Sequence, residues 1–201
     1  MVFLDTYFTT DIYGCGGTVI TKRHVLTAAH CLLINNTYVR KVVVSYGSVD
    51  RRRAKTVAAT KMLIHKDYDM YTSKHDIALL EVKYPFTFGE DVSPICLQVA
   101  PGPIVDKDAV AAGWGSAYYK GLAFDILRHT SVTIYPDQIC SMMHWRYGYT
   151  PGIQCCSFKR GTGVCSGDSG GPLMIRTGVD RFQQVGISSY VSPLGCGGKE
   201  P

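Results

Sequence analysis

The chain has 201 residues, 46% of them hydrophobic, with a formal net charge of +5 and eight cysteines. That length suits one large domain or two half-domains sharing an ample core, and no apolar run nears the ~18 residues of a membrane span, so neither a membrane nor a nucleic-acid partner is expected. The scattered cysteines point to an oxidising compartment and hence a secreted, extracellular protein, and no C-x-x-C pair lies near a second such pair or a His pair that would make a zinc site.

The first five residues carry neither a basic leader nor a long apolar stretch, so no signal peptide is visible, and any leader is expected to lie outside this sequence. Residues 1–20 read as a hairpin, apolar at Val2-Phe3-Leu4, turn-like at Thr9-Thr10-Asp11 and strand-like with glycines from Tyr13 onward. Thr27-Ala28-Ala29-His30-Cys31 reads as a short helical turn. Asn35-Asn36-Thr37 fits the glycan acceptor sequon. Residues 41–46 and 56–64 read as strands around a basic loop, Arg51-Arg52-Arg53-Ala54-Lys55, taken as a solvated surface with an exosite for an acidic partner as the sharper alternative. Residues 66–74 are polar and Tyr-rich and lead into Asp76. The apolar Ile77-Ala78-Leu79-Leu80 then dives toward a core, which half-buries Asp76 and calls for a partner to its carboxylate. Residues 85–92 begin a crossing connection. Residues 108–114 read as a strand entering a Gly-rich turn. Residues 127–135 alternate, with Val132 and Ile134 on one face. Pro136-Asp137 opens a short helix toward Met142, with Asp137 as its N-cap. Residues 146–154 are rich in Tyr and Gly and end at Cys155-Cys156. Many short strands, Gly/Pro punctuation and little helix make an all-β architecture.

The chemistry centres on Gly161-Thr162-Gly163-Val164-Cys165-Ser166-Gly167-Asp168-Ser169-Gly170-Gly171-Pro172. A serine among glycines can sit on a sharply bent loop whose backbone N–H groups approach a ligand closely. A serine hydroxyl needs a base, and the base an orienting group. His30 and Asp76 supply them, in the order His…Asp…Ser. His75, beside Asp76, is the main competitor for the base among the six histidines.

With Gly14-Cys15-Gly16-Gly17, Ala112-Gly113-Trp114-Gly115 and Ser188-Ser189-Tyr190-Val191-Ser192, these motifs span nearly the whole chain, which resembles the chymotrypsin-fold (trypsin-like) serine endopeptidases. The resemblance implies two antiparallel β-barrels, residues 1–95 and 96–201, with an active-site cleft between them. It implies Ser169 as nucleophile, His30 as general base and then acid, Asp76 as its orienting partner, and the N–H groups of Gly167 and Ser169 as oxyanion hole. It pairs Cys15 with Cys31, Cys165 with Cys196, and Cys140 with Cys155 or Cys156, spacing slightly favouring Cys156. It leaves Cys96 without an obvious partner, where many relatives bond an N-terminal propeptide or regulatory segment. Two further family cysteines are replaced together, by Ala109 and Ile175. The loop in which some relatives bind calcium holds only Asp50 as a carboxylate, so no metal and no cofactor is expected.

Substrate positions follow from the same resemblance. Gly163 and Val164 stand at the base of the S1 pocket, where trypsin-like members carry an aspartate. Val191, after Ser189 and Tyr190, narrows the pocket wall as in elastases, and Ser189 and Val191 offer backbone hydrogen bonds to an extended peptide. The implied activity is an elastase-like endopeptidase, secreted as a zymogen, cleaving proteins or peptides after small aliphatic residues and open to protein inhibitors. The alternative is a catalytically inactive homologue that binds or regulates. The sequence departs from the family at both ends. No Ile-Val-type segment whose amino group would pair with Asp168 precedes Met1, and the chain stops at Pro201, short of the last strand and helix of relatives. The domain is therefore expected to be partial, and activity of the 201-residue form is doubtful.

Overall fold

The computed structural model describes residues 1–98, 104–191 and 196. Alternation builds its first half. On β1 (Val2–Tyr7), Val2, Leu4 and Thr6 point inward and are fully buried. β1 pairs antiparallel with β2 (Ile12–Val19) on one side and with β6 (Lys41–Tyr46) on the other. Adding β3 (His24–Thr27), β7 (Lys55–Ile64) and β8 (Ala78–Val82) closes a barrel of order β1-β2-β3-β8-β7-β6. Its core is Val2, Leu4, Val25, Leu32, Val42, Val44, Leu80 and Val82, capped by Phe86. Closure leaves no unpaired sheet edge, and this half reads as a self-sufficient unit.

The second half is a six-stranded sheet of order β12-β11-β10-β13-β14-β9. Its strands are β9 (Cys96–Leu97), β10 (Asp108–Gly113), β11 (Arg128–Ile134), β12 (Ser157–Phe158), β13 (Pro172–Gly178) and β14 (Arg181–Ile187). All pairings are antiparallel except β9 with β14. Its core is smaller: Ala109, Ala111, Val132, Ile134, Leu173 and Ile175. Val132 and Ile134 share the buried face, as their alternation requires. Ala109 and Ile175 are direct cross-strand partners, so one buried apolar pair occupies the two positions where both cysteines are missing.

The single α-helix among the described residues, α1, runs Asp137–His144 with Pro136 at its N-cap. Asp137 is therefore not the cap but the first helical residue, and its carboxylate accepts a hydrogen bond from the Tyr149 hydroxyl at 2.5 Å. Proline's fixed φ, −60° here, already suits the cap position. The sequon lies on the turn between β4 (Leu33–Ile34) and β5 (Thr37–Tyr38). Asn35 and Asn36 both take positive φ, 48° and 60°, as two-residue hairpin turns demand, and both are exposed.

The basic run is an exposed surface loop, and two of its arginines also reach the second half. Residues 51–53 form one 3₁₀ turn whose guanidinium groups meet Asp50 and Asp125: Arg51 Nε to Asp125 at 3.2 Å, Arg52 Nε to Asp50 at 3.0 Å and Arg52 Nη1 to Asp125 at 3.4 Å. Around it the backbone joins the two halves. The Arg51 N–H donates to the Asp125 carbonyl at 2.9 Å, the Leu127 N–H to Val49 at 2.8 Å, and the Trp114 indole also to Val49 at 2.9 Å. A buried bond from the Thr18 hydroxyl to Gln184 Oε1, 2.7 Å, ties them again. Arg51 and Arg52 thus link one half to the other, while Arg52, Arg53 and Lys55 stay exposed, as a solvated surface loop requires.

Candidate active site

His30 is delivered by the 3₁₀ turn Ala29–Cys31, directly after β3. Ala29 and Cys31 are buried on either side of it, and the Cys15–Cys31 disulfide pins the turn to β2. Asp76 enters just before β8, the neighbour of β3 in the barrel. Adjacent strands therefore bring together residues 46 positions apart. The Asp76 carboxylate accepts the His30 backbone N–H at Oδ1, 2.9 Å, and faces His30 Nδ1 across 2.7 Å at Oδ2. The Ser189 hydroxyl donates to the same Oδ2 at 2.5 Å. With its side chain only 4% exposed, burial pushes the Asp76 carboxyl up, but the bonds from His30 and Ser189 outweigh it and hold the group below the ordinary carboxylate range. The anion is thus the stable form. Bonded to it through Nδ1, the imidazole has Nε2 left for other work.

Ser169 sits in the turn leading into β13. Its carbonyl accepts the Gly16 N–H at 2.6 Å and lies 3.7 Å from Cys31 Sγ, so the turn is seated against the segment that carries His30. Gly170, at φ +80°, lets this happen: a Cβ there would collide with Thr27 Oγ1 and with the Gly16 carbonyl. Within the turn, the N–H groups of Cys165, Asp168, Gly170 and Gly171 all have acceptors, whereas those of Ser166, Gly167 and Ser169 have none among the described residues. Gly167 has φ +95°, and its Cα neighbours that of Gly115 so closely that a Cβ would lie 3.2 Å away. The Asp168 carboxylate turns inward and accepts N–H groups of Gly115 at 2.8 Å and Cys165 at 2.9 Å; burial raises its pKa despite these two bonds.

Beside these groups lies a cavity of 840 Å³. Gly163, Val164, Ser189, Tyr190 and Val191 all line it, as does Asp76; His30, Gly167 and Ser169 stand outside its lining. Ser192 and residues 197–201 fall outside the described residues. The disulfides are Cys15–Cys31, Cys140–Cys156 and Cys165–Cys196, which settles the choice at the adjacent pair. Cys155 and Cys96 keep free thiols, and both residues are exposed; the Cys155 sulfur itself tucks against Gly186, where partial desolvation raises its pKa. The one group with the proximity of metal ligands among the described residues is Cys15, His30 and Cys31. Both of its sulfurs are bonded to each other and offer no thiolate.

Sequence reasoning missed three contributors. The Ser189 side chain braces Asp76, although only its backbone was singled out. His144, at the end of α1 and 6% exposed, lines the cavity with a ring Nδ1 that has no hydrogen-bond partner among the described residues, and no motif surrounds it. Gln154 bonds across the cleft to the segment preceding Asp76, and its position beside Cys155-Cys156 was the only available signal. His75, the competing histidine, instead stacks on His65 with ring centroids 4.7 Å apart.

A closed six-stranded β-barrel that carries the His–Asp pair, and a second β-sheet whose serine turn is seated against it, define the two-halved chymotrypsin-type fold. The chain belongs to the trypsin family, whose model matches residues 4–201. It is 36% identical to Chymotrypsin-2 of Vespa crabro, over 91% of this chain and 80% of that protein. It is 34% identical to Venom serine protease Bi-VSP of Bombus ignitus, covering 89% of this chain but 52% of the relative, and 31% identical to Serine protease filzig of Drosophila melanogaster, covering 11% of that much longer protein. The solved structure of HL collagenase superposes with a TM-score of 0.81 at 26% identity, over 100% of this chain and 84% of that one. No described helix is long and apolar enough to cross a membrane.

Proposed function

We propose that this protein is a secreted serine endopeptidase that cleaves peptide bonds through a Ser169 acyl-enzyme. The observation that carries the reading is the doubly bonded His30–Asp76 pair with the Ser169 turn seated against the His30 segment. In the proposed cycle, His30 Nε2 takes the Ser169 Oγ proton as Oγ attacks the scissile carbonyl carbon. The carbonyl oxygen becomes an oxyanion facing the unengaged N–H groups of Gly167 and Ser169. Collapse of the tetrahedral species breaks the C–N bond, and His30 returns the proton to the leaving amine. Water, deprotonated by His30, then hydrolyses the ester. Asp76, held as an anion, stabilises the imidazolium in both halves.

For specificity, Gly163 and Val164 put no carboxylate at the base of the S1 pocket, and the one on Asp76 is taken up by His30 and Ser189, which disfavours Arg and Lys before the scissile bond. Val191 stands on the cavity wall and favours small aliphatic side chains there, such as Ala and Val. Kinship with venom and chymotrypsin-like proteases and three disulfides support secretion. Synthesis as a zymogen, and a propeptide or regulatory segment held through the exposed Cys96, extend the same reading.

A panel of peptide anilides differing only at the residue before the cleaved bond tests it. Higher kcat/KM for Ala and Val than for Phe, Arg and Lys is the expected result. Preference for Phe or Arg would overturn the specificity, and hydrolysis that survives Ser169→Ala would overturn the mechanism.

A further inference from the structure

Asp76 reaches His30 from a segment with two residues in the left-handed region, Ser73 at φ 54° and His75 at φ 53°. Neither is glycine, so that backbone has to be held in place by its surroundings. From within, the Asp69 N–H bonds the Lys74 carbonyl at 3.0 Å, the Asp69 carboxylate accepts the Thr72 hydroxyl at 2.7 Å, and the Ile77 N–H bonds the His75 carbonyl at 2.7 Å. From outside, one side chain grips it. Gln154 Nε2 donates to the carbonyls of Thr72 at 3.1 Å and Ser73 at 3.2 Å, while its Oε1 accepts the Thr150 N–H at 2.7 Å. Both donors and the acceptor of the amide are thereby used, with one end on the loop between α1 and β12 and the other on the first half of the molecule. Gly148, at φ +75°, packs so closely on Thr72 that a Cβ would lie 2.8 Å from its methyl group, so the two loops meet in direct contact as well. Ser73, His75, Asp76 and Gln154 share one wall of the cavity.

We infer that Gln154 is a positioning residue: it clamps the Thr72 and Ser73 carbonyls and so fixes the left-handed approach that sets Asp76 against His30. This rests on the triad proposed above. Two substitutions separate hydrogen bonding from bulk. Gln154→Met keeps the length and loses every polar contact. Gln154→Glu keeps an acceptor for Thr150 and turns a carboxylate oxygen toward two carbonyl oxygens, which repel it.

The measurement is the second-order rate of Ser169 phosphorylation by diisopropyl fluorophosphate, which releases fluoride, on active protein at a temperature where circular dichroism shows each variant folded. This reagent is too small to need the peptide cleft, so its rate reports the triad and not substrate binding. Misplacement of a reacting group by ~1 Å costs up to ~10²-fold, so both variants are expected to react about 10-fold or more slowly than wild type. Rates within about twofold of wild type, whatever the change in thermal midpoint, would reduce Gln154 to a packing residue and overturn the inference. A wild type that does not react at Ser169 would instead overturn the triad reading beneath it.

Discussion

Replacing Ser189 by Ala removes one hydroxyl and tests how Asp76 is kept charged. The hydroxyl donates to Asp76 Oδ2 at 2.5 Å, and Asp76 is buried to 4% exposure, so screening by solvent is weak. A hydrogen bond to a charged group contributes ~1.5–3 kcal/mol. Two donors, both from His30, remain on the carboxylate, so it is weakened rather than orphaned. The folded pKa of Asp76 is lowered. Its stabilisation is therefore fully present above the unfolded carboxyl value and is lost as pH falls through the folded one. Ser189→Ala should accordingly destabilise by ~1.5–3 kcal/mol at pH 7 in urea unfolding, with the difference shrinking as pH falls through the lowered folded range of the Asp76 carboxyl. If the whole bond is expressed in the transition state, kcat/KM falls by at most ~10- to 150-fold. Equal stabilities at pH 7 would refute the reasoning.

Gly170→Ala should destabilise by ~2–5 kcal/mol, combining the left-handed backbone with a Cβ driven against Thr27 and the Gly16 carbonyl, as read from denaturant midpoints; a loss under ~1 kcal/mol would show that the turn can move away. Asp125→Ala should cost no more than ~1 kcal/mol, because its arginine partners are 31% and 64% exposed and the backbone bond to Arg51 survives. The deficit should fade in ~1 M salt, and a larger, salt-independent loss would mean the staple is worth more than its ion pairs.

What could be read without the structure divides by range. The barrel strands were visible because alternation is local: residues 41–46 form β6 with those bounds, and β7 begins one residue ahead of the expected 56. The His–Asp approach was foreshadowed by the apolar run after Asp76, which commits the chain to the core. The hairpin β4–β5 was hidden behind the sequon, since Asn-Asn-Thr serves equally as a turn. The helix cap was misplaced by one residue because Pro136 and Asp137 both suit a helix start, and proline took the outer place. The arginine run was legible as surface, but its partner was not, because Asp125 lies 74 residues away from Arg51. Ser189, Gln154 and His144 act through contacts between distant segments, which residue type and spacing do not encode.

The most direct test of the central claim is labelling of the full-length protein with a fluorophosphonate probe, followed by peptide mapping. The account predicts a single modified residue, Ser169, with labelling lost in Ser169→Ala and strongly slowed in Asp76→Asn. A folded protein that takes up no label, or takes it up at another residue, would contradict it.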